Sequence, residues 1–90
     1  MGTFHQNKHA LHGITVVVET AGGETFVGRC DDITEEQVIL RDVDVHRPEE
    51  GGPTKAEYLS RAARFGVWKK HDRLVLPRQK VEAIARLGEF

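Results

Sequence analysis

Alternating apolar and polar positions predict antiparallel strands in the first half of the chain. "ITVVVET" (residues 14–20) is rich in β-branched residues, "AGGE" supplies a tight turn, and "TFVGRC" (residues 25–30) forms a second strand. One apolar face is expected on each strand: Ile14, Val16 and Val18, then Phe26, Gly28 and Cys30. A glycine inside a strand weakens it unless the strand bends or another backbone approaches closely there. We therefore expect a bend or a close backbone contact at Gly28.

A third strand is predicted at "QVILRDVDVH" (residues 37–46). Its first half is apolar on both faces, whereas Val43 and Val45 later alternate with acids, as in a strand that runs from a covered centre to a half-exposed end. Four acids interrupt the apolar run before this strand: Asp31, Asp32, Glu35 and Glu36. Their spacing predicts an exposed acidic turn between the second and third strands.

The second half of the chain predicts a helix and one further strand. "RPEEGGP" breaks the pattern, and Thr54 with Glu57 then forms a capping box, so a helix is expected over "KAEYLSRAAR". Gly66 ends this helix. Its predicted apolar side consists of Tyr58, Leu59, Ala62 and Ala63. "VWKKHDRLVL" (residues 67–76) then returns to strand character up to Pro77.

The last segment, "PRQKVEAIARLG", fits two structures. Val81, Ile84 and Ala85 have helical spacing between Pro77 and Gly88, and this is the stronger local pattern. A strand with Val81, Ala83 and Ala85 on one face is the weaker alternative.

Length and composition favour a small cytoplasmic protein of one domain. Ninety residues form a domain near the lower size limit for folding alone, so help from a partner subunit is expected. No apolar run is long enough for a membrane span or a signal-peptide core. Cys30 has no second cysteine to pair with, and its place in an apolar strand is typical of a small core residue.

Charge is divided unevenly along the chain. Residues 1–50 carry a net charge of −6 and residues 51–90 a net charge of +5. The basic half could be a nucleic-acid face, or the two halves could be complementary surfaces that meet within or between subunits.

The order of these elements resembles the Sm/LSm family, including its Hfq-type members. The segment "LHGITVVVETAGGETFVGRCDDITEEQVILRDV" is similar to the family's first motif, and "RLVLPRQKVEAI" is similar to the second. Positions that fit the first motif are Leu11, Gly13, Val16, Val18, Phe26, Gly28, Ile33 and Leu40. In the second motif they are Leu74, Leu76, Val81 and Ile84.

The resemblance implies a mainly β fold that is a strongly bent, five-stranded, antiparallel Sm-like (SH3-like) barrel. One Sm-like domain would span residues 1–90, with an N-terminal helix at about 3–12, the barrel at about 14–87 and a helical insert at about 47–66 between strands three and four. It also implies a homo-oligomeric ring, and it favours a strand over a helix for the last segment.

The residues expected at the family's RNA pocket depart from its pattern. The family places an Asp, a base-stacking residue and an Asn in the turn after strand two, and an Arg-Gly before strand five. Here "TEEQ" (Thr34–Gln37) and "PR" (Pro77, Arg78) occupy these places. Gln37 and Arg78 could donate hydrogen bonds to a base, but Glu35 and Glu36 would repel phosphate.

Two functions follow from this resemblance. The first is an RNA-binding ring that uses another surface, because "RAARFGVWKKHDR" interleaves cations with Phe65 and Trp68. Its candidate RNA-binding residues are Gln37, Trp68, Lys69, Lys70, Arg73, Arg78 and Lys80. Alternatively, Phe65 and Trp68 lie in the core or between subunits, the cations are merely solvated, and the ring is a scaffold or protein-interaction module without nucleic acid.

Neither catalysis nor a cofactor is expected. No catalytic triad, phosphate loop or metal-ligand spacing is recognisable in the sequence. His5, His9 and His12 would share one face of the N-terminal helix, but no fourth ligand is evident, so a metal site there is only a weak candidate.

Overall fold

The computed structural model describes residues 11–89, except for the side chain of Glu50. Its strands are β1 (Thr15–Thr20), β2 (Thr25–Ile33), β3 (Gln37–His46), β4 (His71–Pro77) and β5 (Val81–Arg86), and its α-helix is α1 (Lys55–Phe65). Short 3-10 turns occupy Pro48–Glu50, Arg78–Lys80 and Leu87–Glu89. The strands form one antiparallel sheet in the order β4-β3-β2-β1-β5. The predicted N-terminal helix lies almost wholly outside the described residues.

Gly28 lies at an irregularity in the antiparallel pairing of β2 with β3. The β2–β3 register shifts between Val27 and Arg29. A Cβ atom added to Gly28 would lie 3.0 Å from Val43 Cγ2 and 3.1 Å from the carbonyl oxygen of Arg41. Only a residue without a side chain lets the two strands approach this closely. The close backbone contact, one of the two alternatives predicted from the sequence at this glycine, is therefore confirmed.

The sheet buries apolar side chains on both faces. The inner face holds the main core: Val16, Val18, Phe26, Cys30, Ile33, Val38, Leu40, Val43, Val45 and Leu76. The outer face holds a smaller cluster in which α1 and the last turn cover β1 and β2: Val17, Val27, Leu59, Ala62 and Leu87. The expected core role of Cys30 is confirmed.

Helix α1 is the insert between β3 and β4. Thr54 and Glu57 form the predicted capping box, and the Gly66 N–H donates to the Ala62 carbonyl at 2.9 Å. The apolar side was predicted one residue too wide. Leu59 and Ala62 are buried against the sheet and Tyr58 is half-buried, whereas Ala63, at the edge of this face, is exposed.

Three predicted boundaries need correction. Strand β2 continues to Ile33, so Asp31 and Asp32 lie in a strand and only the second pair of acids lies in the turn. Strand β4 begins at His71, four residues later than predicted. The last segment is strand β5, because pairing with β1 supplies hydrogen bonds that the local helical pattern cannot anticipate. The choice that the family resemblance favoured is confirmed.

The two end strands of the sheet each leave one edge unpaired within the described part of the chain. Strand β4 pairs only with β3, and β5 pairs only with β1. Unpaired N–H and C=O groups along a strand edge readily accept another strand. Among the described residues, no helix is long and apolar enough to cross a membrane.

Candidate nucleic-acid interface

The turn between β2 and β3 is held by Thr34. Its Oγ1 accepts hydrogen bonds from the backbone N–H groups of Glu36 (3.2 Å) and Gln37 (3.1 Å), while its own N–H donates to the Gln37 carbonyl at 2.9 Å. The side chains of Glu35 and Glu36 are exposed at the tip. Thr34 therefore shapes the turn, and the two acids face solvent as the sequence predicted.

The β2–β3 turn contacts the turn between β4 and β5. The Arg78 N–H donates to the Glu36 carbonyl at 2.8 Å, and Gln37 lies opposite Pro77 in the β3–β4 pairing. Gln37, Arg78 and Lys80 are thus gathered at one end of the barrel. An open groove of about 400 Å³ lies beside them, lined by Arg78 together with Leu11, Ile33, Val81, Glu82, Ala83 and Ile84.

The other predicted RNA-binding residues lie at the opposite end of β4. The Lys70 N–H donates to the Val43 carbonyl at 2.7 Å, and Val43 lies opposite His71. Val43 is six positions along β3 from Gln37, which corresponds to about 20 Å of strand. The single chain therefore does not bring the seven candidates together, and Arg73 lies between the two groups.

Acidic partners neutralise Lys69. Its Nζ lies 2.8 Å from Asp72 Oδ1 and 3.5 Å from Asp42 Oδ1. Asp42 also pairs with Arg29 at 3.0 Å. The hydrogen bond between Lys69 and Asp72 lowers the pKa of the Asp72 carboxyl and raises the pKa of the Lys69 amine. Lys69 is therefore an exposed cation whose charge is shared with two surface carboxylates.

Lys70 takes part in a partly buried polar network. Its Nζ lies 2.5 Å from Oδ1 of Asp44, a residue that is only 6% exposed. Asp44 also accepts a hydrogen bond from the Tyr58 hydroxyl at 2.9 Å, and the Tyr58 ring stacks on His46 with centroids 5.0 Å apart. Burial, together with the bond to Asp44, raises the pKa of Tyr58 well above its ordinary value.

This network was not predicted from the sequence. The alternation of β3 put Asp44 on the face away from the main core, where an acid is ordinarily exposed. The available signal was the tyrosine on the apolar side of the predicted helix, because a buried tyrosine hydroxyl usually needs a hydrogen-bond partner.

Three candidate cations remain unpaired by any described residue: Arg73, Arg78 and Lys80. All three are exposed. They are therefore the members of the predicted set whose charge is most available to a phosphate.

Two aromatic side chains are exposed beside the start of β4. Phe65 is 78% exposed and Trp68 is 90% exposed, and the Arg64 guanidinium lies 5.4 Å from the centre of the Phe65 ring. The alternative that places these aromatics in the core of the chain is therefore wrong. A contact between subunits and a contact with RNA are both compatible with their exposure.

The weak metal candidate is not tested by the structure. His12 is exposed, whereas His5 and His9 lie outside the described residues. Among residues 11–89, no three His, Cys, Asp or Glu side chains are grouped as metal ligands.

Comparison with known proteins identifies the fold. No protein-family model and no curated protein matches the sequence. The structure, however, is similar to that of a Pyrococcus abyssii Sm protein in complex with a uridine heptamer, with a TM-score of 0.61. The match covers 87% of this chain and 89% of that chain, at 20% sequence identity. At this identity the similarity establishes the fold, and the chain is accordingly a sequence-divergent protein with the Sm-like fold.

Proposed function

We propose that this protein is a non-enzymatic, ring-forming Sm-like homo-oligomer that associates with single-stranded RNA. The observation that carries the ring is the pair of unpaired sheet edges, β4 and β5, at the two ends of one curved sheet. Pairing β4 of one copy with β5 of the next would satisfy both edges in a closed assembly. The single domain over residues 1–90, the cytoplasmic location and the absence of a cofactor belong to the same proposal.

The similarity to an Sm protein in complex with a uridine heptamer supports RNA as the partner class. In this chain the turn that corresponds to the family's pocket carries Glu35 and Glu36, which would repel phosphate. We therefore assign phosphate contacts mainly to Arg73, Arg78 and Lys80. Gln37 stays in the candidate set as a hydrogen-bond donor to a base.

We expect a smaller contribution to RNA binding from three other candidates: Lys69, Lys70 and Trp68. Each lysine already has a carboxylate within 3.0 Å. A phosphate would have to compete with that carboxylate, so these two side chains should add little to RNA affinity.

The exposed acids also support a second candidate function. A ring that repeats Glu35 and Glu36 around one end would present a negative rim, which favours basic protein surfaces over RNA. In that case the ring is a scaffold or protein-interaction module without nucleic acid.

The oligomeric state is tested by light scattering at micromolar concentration. The proposal expects a single species whose mass is several times the 10.1 kDa of one chain. A monomer under these conditions would refute the ring.

RNA binding is tested by fluorescence anisotropy with a labelled uridine-rich oligonucleotide, starting at low salt. The double change Arg78→Ala with Lys80→Ala should weaken binding to every sequence. It should also reduce the slope of log affinity against log salt by about 0.7 for each lost phosphate contact. The matched control is Lys55→Ala with Arg61→Ala, which removes the same charge from the exposed surface of α1.

The remaining outcomes separate the alternatives. If Gln37→Ala abolished binding to uridine-rich RNA while the Arg78 and Lys80 changes left it intact, the usual pocket would be operating. If the intact ring bound no RNA at low salt, the scaffold function would replace RNA binding.

A further inference from the structure

Phe65 and Trp68 form an aromatic corner at the end of α1, beside the start of β4. Large apolar side chains that are 78% and 90% exposed are unusual on the surface of so small a domain. Gly66 ends the helix between them, and Val67 packs on the outer apolar cluster. The backbone of the corner is therefore anchored to the barrel while both rings point away from it.

The charges around Trp68 cancel. Arg29, Lys69 and Lys70 are paired with Asp42, Asp44 and Asp72 at distances from 2.5 to 3.5 Å. A site that grips single-stranded RNA needs a net positive groove beside its stacking rings. Aromatic side chains surrounded by satisfied ion pairs are instead typical of a protein–protein contact, with an apolar centre and a polar rim.

We infer that the aromatic corner docks onto a second copy of this chain, against the segment Arg86–Glu89 that ends its β5. This inference rests on the proposed ring. Antiparallel pairing of β4 with the β5 of a neighbour places the beginning of one strand beside the end of the other. Trp68 lies three residues before β4, so it is carried next to the segment that follows the neighbouring β5.

The surface area of the two rings and the charge of Glu89 both fit a second copy of this chain as the partner. A stable interface buries about 800 Å² on each partner, and edge pairing between strands of seven and six residues gives limited side-chain contact. A phenylalanine and a tryptophan can each add about 150–250 Å². The receiving segment carries one exposed cation, Arg86, and one exposed acid, Glu89, and Glu89 complements Arg64 beside Phe65.

The single tryptophan of the chain makes a direct test possible. Trp68 emission should move to shorter wavelength, and its quenching by acrylamide should fall, over the concentration range in which light scattering shows assembly. Trp68→Ala should weaken association by about 10- to 100-fold, with an unchanged far-UV circular dichroism spectrum. The matched control is Lys55→Ala, which truncates an exposed side chain at the far end of α1 and should leave association unchanged.

Cross-linking tests the receiving segment. A mixture of Trp68→Cys and Glu89→Cys chains should form a disulfide between the two variants under mild oxidation. Lys55→Cys mixed with Glu89→Cys should not. The natural Cys30 is buried and does not compete.

The other possible outcomes would refute either the ring or the docking of the aromatic corner. A monomer at every concentration removes the ring and the docking together. An assembled ring whose Trp68 emission stays at long wavelength, or which forms no mixed disulfide, refutes the docking alone. If the tryptophan of an assembled ring stayed exposed but was quenched by uridine-rich RNA, the corner would be an RNA contact.

Discussion

Replacing Asp44 by asparagine should strongly destabilise the fold, because this carboxylate joins β3 to α1 and to the segment just before β4. It accepts hydrogen bonds from the Val45 N–H (2.9 Å), the Tyr58 hydroxyl (2.9 Å) and the Lys70 ammonium (2.5 Å). A hydrogen bond to a charged group contributes about 1.5–3 kcal/mol, against about 0.5–1.5 kcal/mol for a neutral one. Neutralising Asp44 weakens two side-chain bonds by about 1 kcal/mol each, and the new amide group needs an acceptor. We expect a loss of about 2–3 kcal/mol.

Asp42→Asn is the matched control, since it makes the same change two positions away. Asp42 is partly exposed and pairs with exposed cations, and such pairs contribute about 0–1 kcal/mol. Its φ of 54° is tolerated at least as well by asparagine as by aspartate. The control should therefore stay within about 1 kcal/mol of the natural protein.

The assay is urea unfolding followed by far-UV circular dichroism. All variants are compared at one protein concentration, since association adds to apparent stability. With a slope of about 1 kcal/mol per molar urea, the Asp44→Asn midpoint should fall by about 2–3 M. An Asp44→Asn midpoint no lower than that of Asp42→Asn would show that the buried network contributes nothing beyond a surface pair.

Three further predictions concern Gly28, the buried thiol and alkaline pH. Gly28→Ala should cost about 1–3 kcal/mol in the same assay, because its Cβ would press on the core and on a backbone carbonyl, whereas Gly22→Ala should be nearly neutral. Burial raises the pKa of the Cys30 thiol, so a thiol reagent such as dithionitrobenzoate should react with it only as fast as urea unfolds the chain. Rapid reaction in native buffer would contradict this. The pKa values of Cys30 and Tyr58 are raised in the folded protein. The stability that these two groups contribute is therefore fully present below about pH 9 and falls as the pH rises. The free energy of unfolding should decrease by about 1.4 kcal/mol per pH unit for each group that is ionised in the unfolded chain but not in the folded one. Tyr58→Phe should flatten the part of the urea-midpoint curve above pH 10, and an unchanged curve would refute that assignment.

The sequence alone determined the elements that depend on local pattern. The β-branched alternation of "ITVVVET", the capping box at Thr54 and Glu57, and the glycine within the second strand each have a local physical cause, and each lies where it was predicted. The acidic tip at Glu35 and Glu36 was predictable too, because charged side chains without partners remain in water.

Tertiary structure decided the features that depend on residues distant in the sequence. Strand β5 looked helical by its own pattern, and only pairing with β1 makes it a strand. The sequence pattern predicts an exposed acid at Asp44, but α1, which begins eleven residues later, places the Tyr58 hydroxyl against it. The pattern likewise predicts a free cation at Lys70, but the pairing of β4 with β3 brings Lys70 to the Asp44 carboxylate. In each case the deciding hydrogen bond joins residues from separate elements, and its partner becomes known only once the chain has folded.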